Sequence, residues 1–65
     1  MYEFTGDKKE IKNQTEACKT IGITQPNLSK ILNGKVKCRK VVAFSITKYI
    51  DLLGEINEYF KEEER

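Results

Sequence analysis

Histidine and tryptophan are absent from this chain of 65 residues, which also has only one proline. The missing histidine removes the usual general base and the commonest catalytic metal ligand. Neither a carboxylate pair at a marked pocket nor a glycine-rich phosphate loop takes its place. We therefore expect a protein that is not an enzyme, with no metal, no cofactor and no small-molecule substrate.

Cysteine is scarce, and its two residues do not form a metal or redox motif. Cys18 and Cys38 lie far apart, with no histidine or further cysteine beside either of them. This spacing excludes a zinc site and a Cys-x-x-Cys redox pair. We interpret Cys18 as a small buried side chain and Cys38 as an incidental thiol in a basic loop, both reduced, with one disulfide as the alternative.

Long hydrophobic runs are also missing. The longest apolar stretch spans residues 41–46 and already contains Ser45, far short of the ~20 residues that cross a bilayer. The N-terminus has no basic segment followed by an apolar one, as a secretory signal would have. We expect a cytoplasmic chain with no membrane partner, folded as one domain over residues 1–65, whose small core is marginal.

Opposite charges are concentrated in different parts of the chain. Residues 1–50 carry ten Lys or Arg and four acids, a balance of +6, whereas residues 51–65 carry two basic and six acidic residues, a balance of −4. A polyanion is attracted to the first part and repelled by the second. The asymmetry indicates where a nucleic acid could bind; the alternative is an ordinary solvated surface.

A first short helix is predicted from Thr15. Thr15 can serve as its N-cap, and Ala17, Cys18 and Ile21 fall on one narrow apolar stripe. Gly22 ends the helix, because a residue without Cβ occupies the left-handed C-terminal position most easily.

A second helix follows at once. Thr24 can cap it with its hydroxyl, and Pro26 falls in the first turn, where its missing N–H costs nothing. Its inward stripe consists of Leu28, Ile31 and Leu32, and Asn33-Gly34 ends it. Two helices joined by a glycine turn in this register predict a helix-turn-helix over residues 15–34, in which one helix supports the other in a major groove.

The flanking segments are predicted from weaker signals. Residues 1–14 indicate a short hairpin around Gly6-Asp7, with a helix from Asp7 to Lys12 as the alternative. Residues 35–40 form a basic loop, residues 41–47 favour a strand because they are β-branched and aromatic, and residues 48–64 favour an amphipathic helix. The predicted class is α+β, with an all-α bundle of the Cro/repressor type as the alternative.

The residues from Thr15 to Lys35 resemble two families of DNA-binding proteins. They look like the helix-turn-helix of the phage Cro and repressor class, and they are also similar to the nuclease-associated modular DNA-binding domain found beside homing endonucleases. The second resemblance covers about residues 1–47 and rests on Tyr2-Glu3-Phe4, Ala17, Gly22-Ile23-Thr24, residues 28–35 and Ala43-Phe44. It implies an aromatic strand after the basic loop, although residues 41–44 replace the Gly-Gly-aromatic sequence usual there.

Both resemblances assign the outer face of the second helix to DNA. The candidate base contacts are Gln25, Asn27, Ser29 and Lys30, since amide side chains pair with adenine and lysine with guanine. The candidate phosphate contacts are Thr24, Asn33, Lys35, Lys37, Arg39 and Lys40. For each of them the alternative is a solvated polar residue, and for Ser29 and Asn33 it is local capping.

The predicted C-terminal helix offers a surface for self-association. Its apolar stripe comprises Tyr49, Leu52, Leu53, Ile56, Tyr59 and Phe60. We expect part of it to form a homodimer interface, with the acidic face turned away from DNA; the alternative is packing within one chain.

The predicted function is sequence-specific binding of double-stranded DNA by a small transcriptional regulator of phage or mobile-element type. The alternative is a protein-interaction module or inhibitor built on the same scaffold.

Overall fold

The computed structural model describes residues 1–63. Over these residues the chain forms four α-helices and a two-stranded antiparallel sheet, which confirms the predicted α+β class. In chain order the elements are β1 (Tyr2–Phe4), a 3₁₀ turn (Lys8–Glu10), α1 (Gln14–Ile21), α2 (Gln25–Leu32), α3 (Lys40–Ile50), α4 (Ile56–Tyr59) and β2 (Phe60–Glu62).

One cluster of buried side chains joins these elements. Helix α1 packs against both α2 and α3, and β1 contacts α2 and α3. The buried members are Phe4, Ile11, Ala17, Cys18, Leu28, Ile31, Leu32, Cys38, Ala43, Ile46 and Phe60. The rings of Phe4 and Phe60 meet edge to face, with centroids 5.2 Å apart, so the sheet contributes an aromatic pair to the core.

The first strand pairs with the last one, and the predicted hairpin over residues 1–14 is wrong. Tyr2 lies opposite Glu62, and Phe4 lies opposite Phe60. The segment after β1 cannot return as a strand because the Asp7 carboxylate accepts a hydrogen bond from Lys9 N (2.9 Å) and caps the 3₁₀ turn. The alternative helix at Asp7 was therefore right about the cap, but the helix is a single turn.

Residues 41–47 are helical, so the predicted strand there is wrong, as is the aromatic strand implied by the modular-domain resemblance. They belong to α3, in which Ala43, Ile46 and Thr47 are fully buried on one side. This helical face packs against α1, and that packing outweighs the weak β-preference of valine, isoleucine and threonine. No helix within residues 1–63 is long and apolar enough to cross a membrane.

The predicted helix over residues 48–64 is also wrong; its last residue lies outside the described chain. Helix α3 ends at Ile50, and the chain turns at residues 51–54 before α4 and β2. The Lys48 ammonium stabilises this turn by donating to Leu52 O (3.2 Å) and Gly54 O (3.0 Å). Glu55 and Glu58 then form a capping box that starts α4 afresh.

Candidate nucleic-acid interface

Helix α1 begins earlier than predicted. Its N-cap is Asn13, whose side-chain oxygen accepts a hydrogen bond from Glu16 N at 3.1 Å, and Gln14 is the first helical residue. Thr15 therefore lies inside the helix, and the predicted cap at Thr15 is wrong. Asparagine competes well for this position because it is a stronger N-cap than threonine.

The turn between α1 and α2 is closed at Gly22, as predicted. This glycine has φ 91° and ψ 30°, a left-handed conformation that residues with a Cβ rarely adopt. The N–H groups of Gly22 and Ile23 both donate to Cys18 O, at 2.7 and 3.2 Å. The second of these is the six-to-one bond of a Schellman helix end, which directs the chain into α2 after two residues.

Helix α2 starts at the predicted residue, but the Thr24 side chain does not cap it. Thr24 is its N-cap in an extended conformation, and its carbonyl accepts a hydrogen bond from Leu28 N at 3.0 Å. The Thr24 hydroxyl makes no capping bond within the described chain, so the predicted side-chain cap is wrong. Pro26 lies in the first turn, as expected, and residues 24–27 are exposed.

The inward and outward faces of α2 are those predicted. Leu28, Ile31 and Leu32 are buried. Three of the four candidate base contacts, Gln25, Asn27 and Lys30, are exposed, and the fourth, Ser29, is half-buried. The helix therefore presents amide and ammonium groups to solvent from a rigid support, since its other side is fixed in the core.

Asn33 has a structural role at the end of α2. Its amide nitrogen donates to Ser29 O at 2.9 Å and lies 3.4 Å from the Ser29 hydroxyl, while its side-chain oxygen accepts from Lys8 Nζ at 3.1 Å. The local capping alternative is therefore realised for Asn33, whose side chain caps the end of α2 at the Ser29 carbonyl. Lys8, which sequence reasoning did not select, is brought beside α2 by these contacts.

The end of α2 repeats the geometry of the end of α1. Gly34 has φ 75°, and Lys35 N donates to Lys30 O at 2.9 Å in a second six-to-one bond. This directs the chain into the basic loop. Lys35, Lys37 and Arg39 lie on the loop and are exposed, whereas Lys40 is the first residue of α3.

The basic loop is attached to the sheet at Cys38. Tyr2 N donates to Cys38 O at 2.7 Å, and Cys38 N donates to Tyr2 O at 2.9 Å. Cys38 lies in the basic loop, as predicted, but it is 5% exposed and belongs to the core, so it is not an incidental thiol there. Cys18 and Cys38 are both free and buried, and the disulfide considered for them does not form. Burial raises the pKa of the Cys38 thiol to about 11, partly opposed by the N-terminal ammonium.

Base-contact and phosphate-contact candidates meet in one hollow between α2 and the loop. Its volume is about 250 Å³, and its walls include Asn27, Lys37 and Arg39. An amide that can read a base edge thus lies beside two cations that can bind phosphate. The sequence placed these residues in separate elements; the attachment of the loop at Cys38 brings them together.

The acidic C-terminal segment also approaches the loop. The Glu63 carboxylate lies 3.7 Å from Lys37 Nζ, and Glu63 N donates to Met1 O at 2.7 Å. Glu63 does not belong to the acidic face that was expected to turn away from DNA, which comprises Asp51, Glu55, Glu58 and Glu62. No spacing in the sequence indicates this contact, since it depends on β2 pairing with β1.

The six residues predicted as a dimer interface do not form one helical stripe. Phe60 is 2% exposed and belongs to the core, so it is not available to a partner. Ile56 and Tyr59 are half-buried against the same core. Tyr49 donates from its hydroxyl to the Glu16 carboxylate at 3.1 Å, and burial and this carboxylate raise its pKa. Leu52 and Leu53 alone among the six are exposed, in the turn after α3.

Comparisons with protein-family models, with curated proteins and with solved structures gave no match to this chain.

Proposed function

We propose that this chain is a cytoplasmic, non-enzymatic protein that binds double-stranded DNA in a sequence-specific manner, as a small transcriptional regulator of phage or mobile-element type. The observation that carries the proposal is the outer face of α2. Its polar side chains stand on a helix fixed by two glycine-terminated turns, next to a loop of cations. This is the arrangement in which a recognition helix enters a major groove.

The chemistry of the α2 face supports base readout. Gln25 and Asn27 can each donate to and accept from adenine, and Lys30 can donate to guanine. Both amides lie in the N-terminal half of α2, the half of a recognition helix that contacts base edges. From Gln25 to Lys30 the helix rises about 7.5 Å, which corresponds to about two base-pair steps. One copy therefore reads a short sequence.

The basic loop supports phosphate binding. Lys35, Lys37 and Arg39 extend from a segment held at Cys38, and Lys40 follows in α3. Each phosphate that such cations neutralise releases counterions from the DNA, so affinity depends steeply on salt. The free Thr24 hydroxyl can add a contact at the start of α2. Asn33 contributes less under this proposal because its amide is already bonded to Ser29 and Lys8.

A salt titration tests the proposal. Binding to a fluorescent duplex pool, before and after enrichment by selection, is measured from low to physiological salt. We expect the enriched pool to bind more tightly, with a log–log salt slope that Lys35→Ala reduces by about one. Lys61→Ala, which removes the same charge from β2, is the matched control and leaves the slope unchanged. Absence of binding to any duplex at low salt would contradict DNA binding.

A protein-interaction module or inhibitor is the second candidate function. It is favoured by the exposed apolar residues Leu52 and Leu53, which phosphate binding does not use. An apolar interface responds weakly to salt, whereas DNA binding weakens steeply. The same titration, repeated with a candidate protein partner, therefore separates the two functions.

A further inference from the structure

Lys8 is a cation beside α2 that the proposed function does not yet use. It is exposed on the 3₁₀ turn, and its Nζ donates to Asn33 Oδ1 at 3.1 Å. The Asn33 side chain is itself fixed, because its amide nitrogen donates to Ser29 O at 2.9 Å. The ammonium of Lys8 is therefore held against the C-terminal end of α2.

The turn that carries Lys8 is anchored to the rest of the protein. The Asp7 carboxylate accepts a hydrogen bond from Lys9 N at 2.9 Å, and Asp7 O accepts another from Glu10 N at 2.9 Å. Ile11 ends the turn and is 4% exposed, as a member of the core. A lysine on such a support loses less backbone freedom on binding than one on a mobile segment.

The charge of Lys8 is not neutralised within the described chain. The two acids of its turn, Asp7 and Glu10, form no ion pair with it in residues 1–63. Its one acceptor there, the Asn33 side chain, is uncharged. Because an ammonium has three donors, Lys8 can keep this bond and still donate to an anion. A phosphate oxygen is a stronger acceptor than an amide oxygen, since it is charged.

The exposed arc of α2 is centred near Lys30. Because successive helical residues are about 100° apart around the axis, Asn27 and Asn33 lie about 120° apart, with Lys30 midway between them. All three are exposed, whereas the leucine and isoleucine residues of the helix are buried on its other side. Asn27 and Asn33 thus lie on opposite sides of the centre of the arc.

Cations lie on both sides of this arc. Lys37 and Arg39 share a hollow with Asn27, and Lys8 bonds to Asn33. A helix that enters the major groove lies between two phosphate backbones, in a groove about 12 Å wide. When α2 occupies the groove, its two sides therefore face different strands of the duplex.

We propose that Lys8 binds a backbone phosphate of the DNA strand opposite the one contacted by Lys37 and Arg39. The inference rests on the proposed function and adds a residue to the same interface. Asn33 is then a positioning residue, because it holds the Lys8 ammonium at the edge of α2. Contacts to both strands fix the orientation of α2 in the groove, which its base contacts require.

Methylphosphonate duplexes test the proposal, because each such replacement removes one negative charge from a chosen strand. The duplex is the one that selection with the wild-type protein enriches, and each phosphate of both strands is replaced in turn. Dissociation constants are measured for wild type, Lys8→Ala and Lys37→Ala. We expect a replacement on one strand to weaken wild type but to lose its effect on Lys8→Ala. The replacement that loses its effect on Lys37→Ala should lie on the other strand.

A salt titration with the unmodified duplex gives the size of the effect. Lys8→Ala should lower the log–log salt slope by about 0.9, the value for one phosphate contact. Because Lys8 is exposed, this variant should retain the wild-type midpoint in urea unfolding. Lys9→Ala is the matched control. It removes the same charge from the same turn, yet the Lys9 side chain makes no hydrogen bond to α2 within residues 1–63, so the slope should stay unchanged.

Three results would overturn the inference while leaving DNA binding intact. They are a wild-type salt slope for Lys8→Ala, equal losses for Lys8→Ala and Lys9→Ala, and insensitive phosphates of Lys8→Ala and Lys37→Ala on the same strand. Absence of wild-type binding to any duplex at low salt would overturn both the inference and the proposed function.

Discussion

The backbones of Tyr2 and Cys38 exchange two hydrogen bonds, of 2.7 and 2.9 Å, across 36 positions of the sequence. Through them the strand that begins the chain holds the centre of the basic loop. Lys37 and Arg39 flank the held residue, so their side chains leave the loop from fixed points beside α2. The loop is therefore a structural continuation of the sheet, and its cations have a defined place relative to Asn27.

Burial of the Cys38 thiol predicts a pH dependence of stability. Burial raises its pKa from the ordinary value of 9.0 to about 11, so the folded state keeps the thiol neutral at a pH where the unfolded chain ionises it. The resulting stabilisation is complete below pH 9.0 and is lost as pH rises to about 11. Urea unfolding across this range should show the free energy of unfolding falling by about 2 to 3 kcal/mol because of this thiol.

Cys38→Ala isolates this effect from the titration of lysines and tyrosines. The variant lacks the thiol, so its free energy of unfolding should fall less steeply across the same range. Parallel curves for the two proteins would show that the thiol ionises equally easily in the folded and unfolded states.

Among the residues of α1, α2 and the turn between them, we predict that Gly22 tolerates substitution least. A Cβ there meets no atom within 4 Å, so the cost of Gly22→Ala comes from its φ of 91° alone. We expect a loss of about 1–2 kcal/mol in the free energy of unfolding. Gly22→Asn should lose less, because asparagine tolerates the left-handed region. Equal losses for alanine and asparagine in urea titrations would point to a different cause.

The hydroxyl of Thr47 is a buried group without a hydrogen-bond partner within residues 1–63. Thr47→Val keeps the shape and removes the unpaired oxygen, so we expect stability to rise by up to about 1 kcal/mol. Thr47→Ser keeps the oxygen and deletes a methyl group, and it should destabilise by about 1 kcal/mol. Destabilisation by valine in thermal unfolding would mean that the hydroxyl is hydrogen-bonded in solution.

Removing the ion pair between Lys37 and Glu63 should change stability only slightly but should raise the affinity for DNA. Both side chains are partly exposed, so Glu63→Gln should change the free energy of unfolding by less than about 1 kcal/mol. It also frees Lys37 for phosphate, and DNA affinity should rise several-fold at low salt. Glu62→Gln removes a neighbouring exposed charge and is the control; an equal gain there would assign the effect to net charge alone.

Helices α1 and α2 and the glycine turn between them were predictable because their signals are local. Gly22 and Gly34 end helices in left-handed conformations that few other residues adopt, and the spacing of Leu28, Ile31 and Leu32 determines the inward face of α2. The exposed side chains of α2 follow from that spacing. That spacing predicts all four candidate base contacts on the outward face, and three of them are exposed.

The flanks were mispredicted because long-range contacts decide them. Residues 41–47 have β-branched side chains, yet Ala43, Ile46 and Thr47 become helical when α1 covers them. The strand partner of Tyr2–Phe4 lies at the other end of the chain, beyond the reach of any local pattern. For the same reason the contact of Glu63 with Lys37 and the attachment of Cys38 could not be foreseen.

The specificity of Asn27→Ala tests the central claim most directly. Affinities for a selected duplex and a scrambled one are measured at one physiological salt concentration, for wild type, Asn27→Ala and Lys37→Ala. We predict that Asn27→Ala lowers the ratio of the two affinities about tenfold to a hundredfold, while Lys37→Ala weakens both duplexes alike and preserves the ratio. A ratio that Asn27→Ala leaves unchanged, with both affinities intact, would contradict the assignment of α2 as the helix that reads DNA.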